Sequence, residues 1–418
     1  MPTGHFDLHP FGTAYSSEPL TGLAGLSLPE LREEIRADLF DVYLPFLESH
    51  AVDDEYGGFL CHVTPEGARV NTEKRAWYEG RGIWVYSRLY NRMGGDPRHL
   101  EIAAKSAEFT LQLRPQGDAF WPASFTREGR PLTEGEIYGD LFISLGLQEL
   151  AKAPGMERYR GEAKDILLKC LRVYDRPDYP GKPFRADLPD IVAPRMLGHW
   201  MIMIRIASQM LEYGPDREVE EVVERCLEAI MDKHFNPRYG LMNEVLNHDF
   251  TRPDNGYERW SYLGHALETL WFVMEEGVRR GDRALFDTAA ERFARHLEAA
   301  WDPVFGGVFR SLNDVDRHVW MLDKIYLFHP EALIGLVMLV EHTGSRWSRE
   351  WYGRVYAYMR SVMDIRAHGY NPWYTVQDRE GLPNPKDERI DNYHYPQHLM
   401  LNLQAIDRMI QKRNGAGK

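Results

Sequence analysis

Asp302-Pro-Val-Phe-Gly-Gly307 is one of five short aromatic-glycine segments that recur along this chain, each followed by a hydrophobic helical pattern. The other four are Asp54-Glu-Tyr-Gly-Gly-Phe59, Gly117-Asp-Ala-Phe-Trp121, Asn236-Pro-Arg-Tyr-Gly240 and Gly369-Tyr-Asn-Pro-Trp373. A weaker sixth, Pro177-Asp-Tyr-Pro-Gly-Lys-Pro183, fills the one gap, and the aromatic landmarks then step by 59 to 66 residues. A near-constant internal period of this kind predicts a repeat architecture, here of six units.

Two kinds of helical pattern alternate within these units. One is amphipathic: over Leu285–Trp301 the apolar side chains fall on one face, as expected for a helix with one side in water. The other, as in Tyr262–Phe272 and His329–Leu339, is apolar nearly all round, which is typical of a helix buried on every side. Six exposed and six buried helices predict an all-α fold, an (α/α)6 barrel with short β-hairpins at one end.

The repeat also predicts the domain organisation, because each unit needs its neighbours to bury its apolar face. We expect a single barrel domain over residues 28–412, an N-terminal extension over residues 1–27 and a frayed tail over residues 413–418.

Composition narrows the class of partner. The net charge of -13 and the pI near 5.7 argue against nucleic acid and against an acidic membrane surface. Residues 1–27 lack the pattern of a signal peptide, and the longest apolar or glycine run, Ala332–Val340, is too short to span a bilayer. An odd number of cysteines, Cys61, Cys170 and Cys226, without metal-ligand spacing favours a reduced, cytoplasmic setting.

In such a barrel the inner helices all begin at the hairpin end, so polar residues near their N-termini should converge on one cavity. These residues are Arg81, Tyr138, Asp140, His199, His265, Glu268, His329, Glu331 and His394. Trp373 and Gln397 complete the candidate substrate-binding set. Several histidines with an arginine and carboxylates suit proton abstraction beside a carbonyl group. One imidazole on each face of the reacting carbon, an arginine for the enolate oxygen and a glutamate holding a histidine tautomer would suffice.

Plainer readings of some of these residues remain open. His199 also fits a hydrogen-bonded core histidine, Arg81 could pair with Glu79, and His398 could pack structurally. The chain has neither a His-Glu-x-x-His pattern nor paired cysteines, so we expect no metal ion and no other cofactor.

At these residues the chain resembles the N-acylglucosamine 2-epimerase family, which also includes cellobiose 2-epimerases and mannose-type aldose-ketose isomerases. The resemblance spans roughly residues 30–410. Its motifs are Trp77-Tyr-Glu-Gly-Arg81, Gly264-His-Ala-Leu-Glu268, Tyr393-His-Tyr-Pro-Gln397 and the hairpin sequence Asp378-Arg-Glu-Gly381. Each motif alone is weak, but together and in order they are specific.

The resemblance implies an (α/α)6 barrel and a role for each matching residue. Arg81 would bind a sugar oxygen, His265 and His394 would be the acid/base pair, and Glu268 would be the glutamate beside the first histidine. His199 would be a third active-site histidine that assists ring opening or proton handling. The departures concern the substrate: Gln397 replaces a frequent arginine, His329 a usual glutamine, and Tyr326 with Leu327 a pair of tryptophans.

We therefore predict a cofactor-independent sugar epimerase or isomerase that acts on a small-molecule sugar, and the aromatic-rich barrel ends suit a homodimer. His394 would remove the C2 proton of the open-chain aldose, and His265, oriented by Glu268, would return a proton from the opposite face. Transfer from C2 to C1 would instead make an aldose-ketose isomerase. Two other classes stay open: a glycoside hydrolase using Asp140, Glu268 and Glu331, and a non-catalytic binding protein.

Overall fold

The computed structural model describes residues 20–64, 66–364, 366, 375–376, 383–384 and 389–416. Within these residues the helices form two concentric rings, which confirms the predicted (α/α)6 barrel. The outer ring consists of α1 (Leu28–Ala37), which continues through a π-helical stretch (Asp38–Tyr43) into α2 (Leu44–His50), and of α4 (Pro97–Gln112), α6 (Tyr159–Tyr174), α8 (Arg217–Leu227), α10 (Arg283–Ala300) and α12 (Arg346–Val362). The inner ring consists of α3 (Ala76–Arg92), α5 (Ile137–Leu150), α7 (Leu197–Met210), α9 (Leu263–Arg280), α11 (Phe328–Thr343) and α13 (His394–Ala416).

Burial follows the two helical patterns seen in the sequence. In α11, every residue from Phe328 to Val337 is buried, as is every residue of α7. In α8, by contrast, only the stripe containing Val219, Val223 and Leu227 is buried, and charged residues cover the other face.

Short antiparallel strands connect the helices: one pair precedes the outer helix α1, and the others lie at the end at which the inner helices begin. They are β1 (Gly22–Leu23), β2 (Leu26–Ser27), β3 (Lys74–Arg75), β4 (Ser124–Phe125), β5 (Arg195–Met196), β6 (Phe235–Asn236), β7 (Leu241–Met242), β8 (Val245–Leu246), β9 (Ser261–Tyr262), β10 (Ser311–Asp314), β11 (Val319–Met321), β12 (Lys324–Ile325), β13 (Thr375–Val376) and β14 (Pro383–Asn384). The sheets are β1-β2, β3-β4, β5-β8, β6-β7, β9-β10-β11 and β12-β13-β14. Lys74 pairs with Phe125, and Tyr262 pairs with Ser311. The β3-β4 and β9-β10-β11 sheets therefore each connect the start of an inner helix to the hairpin of the next unit.

The two aromatic-glycine segments that end in a pair of glycines make the same tight turn, since Gly57 and Gly58, like Gly306 and Gly307, have positive φ values. Gly306 and Gly307 have φ values of 75° and 82°, a region that side chains with a Cβ seldom occupy. Asp302 accepts the backbone N–H groups of Val304 and Phe305, and it forms an ion pair of 3.1 Å with Lys324. The side chains of both ion-pair partners are fully buried.

The first and last units meet and close the ring. Nδ2 of Asn392, just before α13, donates to the carbonyl oxygen of Tyr78 in α3 at 2.9 Å. The rings of Trp84 and Tyr393 pack edge to face at 5.4 Å. At its C-terminal end, α13 continues to Ala416 and so includes part of the segment 413–418 that was predicted to be a frayed tail.

None of the helices in the described part of the chain is both long enough and apolar enough to cross a membrane.

Candidate active site

A cavity of about 490 Å³ opens among the first turns of the inner helices. Each inner helix contributes at least one residue to its wall. The lining residues are Trp77, Arg81, Glu136, Tyr138, Phe142, Phe184, Met201, Tyr262, His265, Glu268, Arg310, Ile325, Leu327, Phe328, Arg389 and His394. The structure thus brings together five residues singled out in the sequence: Arg81, Tyr138, His265, Glu268 and His394.

His265, in the first turn of α9, is held by a carboxylate that the sequence analysis did not identify. Its Nδ1 lies 3.0 Å from Oε1 of Glu244, a fully buried residue between β7 and β8. Burial disfavours a charged imidazole here, but the charge and hydrogen bond of Glu244 outweigh it and raise the pKa of His265. Glu244, rather than Glu268, therefore orients this ring and leaves Nε2 available to a substrate.

His394, the first residue of α13, is held in the same manner. Its Nδ1 lies 2.7 Å from Oε1 of Glu331, while the other oxygen of Glu331 accepts Nε1–H of Trp271 at 2.7 Å. Burial raises the pKa of Glu331 to about 8 and lowers the pKa of His394. Both partners of this buried pair are therefore pushed toward their uncharged forms, whereas the raised pKa of His265 favours its charged imidazolium.

Arg81, in α3, is a nearly buried cation enclosed by aromatic rings. Its guanidinium lies 4.9 Å from the ring of Trp77, 4.2 Å from Phe142 and 5.3 Å from Tyr393. Two of its nitrogens, Nε and Nη1, have no hydrogen-bond partner among the described residues. A desolvated cation with unused N–H donors at a cavity wall is suited to binding an oxygen that becomes negatively charged.

Glu268 lies one helical turn after His265, between the two imidazoles. Burial and the neighbouring Glu331 raise its pKa to about 7, and Oε1 has no hydrogen-bond partner within the described part of the chain. Glu268, Glu331 and His394 each have a potential ligand atom within 4.8 Å of the others. However, Nδ1 of His394 and both oxygens of Glu331 already bind other groups, so we assign this cluster to the support of His394 rather than to a metal ion.

Two predicted substrate contacts, Asp140 and His329, lie away from the cavity wall. Asp140 accepts the backbone N–H of Trp121 at 2.8 Å and forms an ion pair with Lys169. His329 accepts the backbone N–H of Val308 at 2.9 Å through Nε2. Both side chains therefore anchor the hairpin of their own unit to the first turn of its inner helix.

His199 and Gln397 lie one layer behind the wall. The ring of His199 packs against Tyr138 at 4.6 Å and Tyr174 at 5.2 Å, and burial lowers its pKa to about 3. Nε2 of Gln397 lies 3.4 Å from Oε1 of Glu331 and so contacts the partner of His394. Trp373 lies outside the described residues.

Glu244 is the main site residue that the sequence analysis missed. It is a charged residue in an otherwise largely apolar hairpin, Leu241-Met-Asn-Glu-Val-Leu246, and that contrast was the available signal. The cavity also includes Phe184, Arg310 and Arg389, which stand on connecting segments without a repeated motif.

The family model described as N-acylglucosamine 2-epimerase (GlcNAc 2-epimerase) matches residues 57–397. The N-acylglucosamine 2-epimerase of Bos taurus is 26% identical over 357 residues, which is 82% of this chain and 82% of that protein. The cellobiose 2-epimerase of Bacteroides fragilis is 20% identical over 402 residues, 88% of this chain and 96% of that protein.

Solved structures agree at the level of the fold. The cellobiose 2-epimerase from Bacillus thermoamylovorans superimposes with a TM-score of 0.78 at 15% identity, covering 90% of this chain and 99% of that one. At this identity the similarity concerns the barrel alone.

Proposed function

The chain belongs to the N-acylglucosamine 2-epimerase family, and from that premise we propose that this carbohydrate epimerase inverts C2 of an open-chain aldose by histidine acid/base catalysis. His394 is the base that takes the C2 proton, and His265 is the acid on the opposite face. Arg81 binds the oxygen on which negative charge develops.

One observation carries this proposal. Two imidazoles, each engaged at Nδ1 by a buried glutamate, line the same cavity as an arginine with unused N–H donors. When Nδ1 of an imidazole is already hydrogen-bonded, the ring has a defined tautomer and its Nε2 points in a defined direction. Proton transfer requires both.

Nε2 of His394 takes the proton from C2, and the electrons of the C–H bond form C1=C2 while the carbonyl electrons move to O1. The negative O1 of the enediolate is stabilised by the guanidinium of Arg81. Nε2–H of His265 then returns a proton to C2 from the other face, and the carbonyl at C1 re-forms.

The electrostatics of the two pairs support this assignment of roles. Glu244 raises the pKa of His265, so that imidazole tends to hold a proton and can act as the acid. Burial lowers the pKa of His394, so that imidazole tends to be neutral and can act as the base. In the reverse reaction the two histidines exchange these roles.

The experiment is exchange with solvent in D2O, monitored by NMR. The protein is incubated with N-acetylglucosamine, N-acetylmannosamine, mannose, glucose and cellobiose, and each product is identified. Deuterium at C2 together with the C2 epimer supports the proposal, and a ketose product would identify an aldose-ketose isomerase on the same site. Cleavage of cellobiose, or absence of exchange with every sugar, would contradict it.

Variants test the two histidines separately. His394→Gln and His265→Gln should each lose C2 epimerisation by about 10²- to 10⁴-fold, the usual contribution of a positioned acid or base. His342→Gln is the matched control, because His342 lies in the last turn of α11, at the opposite end of the barrel. Retention of more than about a tenth of the wild-type rate in either catalytic variant would refute the assignment.

A further inference from the structure

Part of the cavity wall has no role in the proposed chemistry. Arg310, which directly precedes β10, lines this part together with Tyr262 from β9 and with Ile325 and Leu327, which precede α11. A cavity of about 490 Å³ normally encloses most of the surface of its ligand. The carbons of a sugar beyond C1 and C2 therefore need contacts of their own, and this part of the wall is available for them.

Arg310 is held in place through its side chain and its backbone. Nη2 lies 2.5 Å from Oδ2 of Asp323, a carboxylate that is 9% exposed. The backbone N–H of Arg310 donates to the carbonyl oxygen of Asp323 at 3.0 Å. The carbonyl oxygen of Arg310 accepts the backbone N–H of Leu263, the first residue of α9, at 3.3 Å. The arginine is thus fixed beside the start of the helix that carries His265.

The guanidinium of Arg310 retains donors for a ligand. Nε is buried and has no hydrogen-bond partner within the residues that the structure describes. The side chain as a whole is 20% exposed and lies at the cavity wall, so a molecule in the cavity can reach it. A planar guanidinium that is paired at one nitrogen presents its other N–H groups in fixed directions.

Arg310 is separated from the acid/base pair by Tyr262. The ring of Tyr262 packs edge to face on His265 at 4.7 Å, and its hydroxyl interacts electrostatically with Arg310 and Asp323. Arg81, by contrast, interacts in this way with His265 itself. Arg81 is therefore the cation of the reacting carbons, and Arg310 is placed for another part of the same sugar.

We propose that Arg310 binds a neutral hydroxyl group of the sugar beyond C3, and so selects the substrate at the end remote from the reacting carbons. The inference rests on the proposed function, because it takes C1 and C2 to lie at Arg81 and the two histidines. Asp323 determines the charge of the group that is bound. It compensates Arg310 and would repel a phosphate or carboxylate, whereas a hydroxyl oxygen accepts an N–H of Arg310 without that repulsion.

The experiment compares the wild type with Arg310→Gln on sugars that lack one hydroxyl. The parent sugar is the one that shows the fastest C2 exchange, and its 4-, 5- and 6-deoxy analogues are the probes. In the wild type we expect kcat/KM for one analogue to be about 10- to 150-fold below that of the parent, the usual contribution of a hydrogen bond to a charged group. In Arg310→Gln this ratio should approach one, because the variant has already lost the contact.

Two further variants separate binding from folding. Arg317→Gln is the matched control, because Arg317 is an exposed arginine in the turn between β10 and β11 and does not line the cavity. It should keep the wild-type ratio. Arg310→Lys retains the charge without the planar fork and should keep part of the ratio, and it replaces Arg310→Gln if thermal unfolding shows that the latter is unfolded.

A purely structural role of Arg310 would lower kcat/KM for the parent and for every analogue by the same factor. Equal ratios in wild type and Arg310→Gln for all three analogues would therefore overturn the inference. A derivative that carries phosphate at the discriminating position and reacts faster than the parent would overturn it as well. Absence of C2 exchange with every sugar would instead contradict the proposed function, so the two failures are distinguishable.

Discussion

Replacement of Glu244 by glutamine removes one buried negative charge from the site and nearly preserves its shape. Glu244 lies 3.0 Å from Nδ1 of His265 and accepts the backbone N–H of Gly198 at 3.3 Å. A hydrogen bond to a charged group contributes about 1.5 to 3 kcal/mol. Expressed as a change in barrier height, this corresponds to about a 10- to 150-fold change in rate. We therefore expect kcat/KM for C2 epimerisation to fall by that factor in Glu244→Gln.

The same substitution should shift the pH profile in a defined direction. In the proposed mechanism His265 is the acid, so activity in the proposed direction falls as pH rises through the pKa of its imidazolium. Glu244 raises that pKa, and without its charge the effect of burial, which lowers the pKa, prevails. The descending limb of kcat/KM against pH should therefore move to lower pH. The ascending limb, which we assign to the pair of His394 and Glu331, should stay in place.

The assay is C2 epimerisation followed by NMR over a range of pH, with thermal unfolding as a check on folding. Glu149→Gln is the matched control, because Glu149 is an equally buried glutamate at the opposite end of the barrel, paired with Lys152. A Glu244→Gln enzyme with wild-type kcat/KM and an unshifted descending limb would show that Glu244 does not support the acid.

Other substitutions probe the cavity and the fold. Arg81→Gln should lower kcat for C2 exchange about 10²- to 10³-fold, because the proposed enediolate loses its cation. Arg81→Lys should restore only part of that loss, because lysine lacks the planar fork of donors. Gly198→Ala places a Cβ 2.2 Å from the hydroxyl of Tyr138, so this ring must move, and we expect about a 10²-fold loss of exchange with little change in folding. Lys324→Met leaves the carboxylate of Asp302 buried without its cation and should lower the free energy of unfolding by about 3 to 5 kcal/mol in urea titrations; a change below about 1 kcal/mol would contradict the importance of this ion pair.

The architecture could be predicted from the sequence because two independent periodicities agree. The spacing of the aromatic-glycine segments defines six units, and within each unit an amphipathic pattern precedes an apolar one. In the structure, Gly306 and Gly307 make the turn that this spacing marks, and α11 is buried on all sides as its pattern requires.

The site could be predicted only in part, because proximity to a helix start does not define the direction of a side chain. Successive residues of an α-helix are rotated by about 100°, so side chains two residues apart point in nearly opposite directions. Tyr138 lines the cavity, whereas Asp140 anchors the hairpin. Likewise Glu331 faces His394, whereas His329 faces the hairpin. The sequence placed both members of each pair at the site, although only one of them can face inward.

Glu244 was not predicted as a site residue, and the reason is different. It belongs to no inner helix, and it reaches His265 across 21 positions of the chain through a hairpin. A pattern based on helix starts does not identify such a residue. Only the pairing of β5 with β8, which brings Glu244 beside the start of α7, specifies its position.

The two carboxylates that hold the imidazoles also connect neighbouring units of the barrel, and this links the site to closure of the ring. Glu244 connects the start of α7 to His265 in α9, and Glu331 in α11 connects to His394 in α13. Arg81 belongs to the first inner helix and His394 to the last, so these two side chains meet only across the seam between the two helices. Asn392 holds this seam together by its hydrogen bond to the carbonyl oxygen of Tyr78, which precedes Arg81 by three residues. A seam opened by a small rotation would leave the pair of His265 and Glu244 intact but separate Arg81 from His394. In the proposed mechanism both side chains must contact the same two-carbon unit of the sugar, and closure of the toroid is then itself a condition for catalysis.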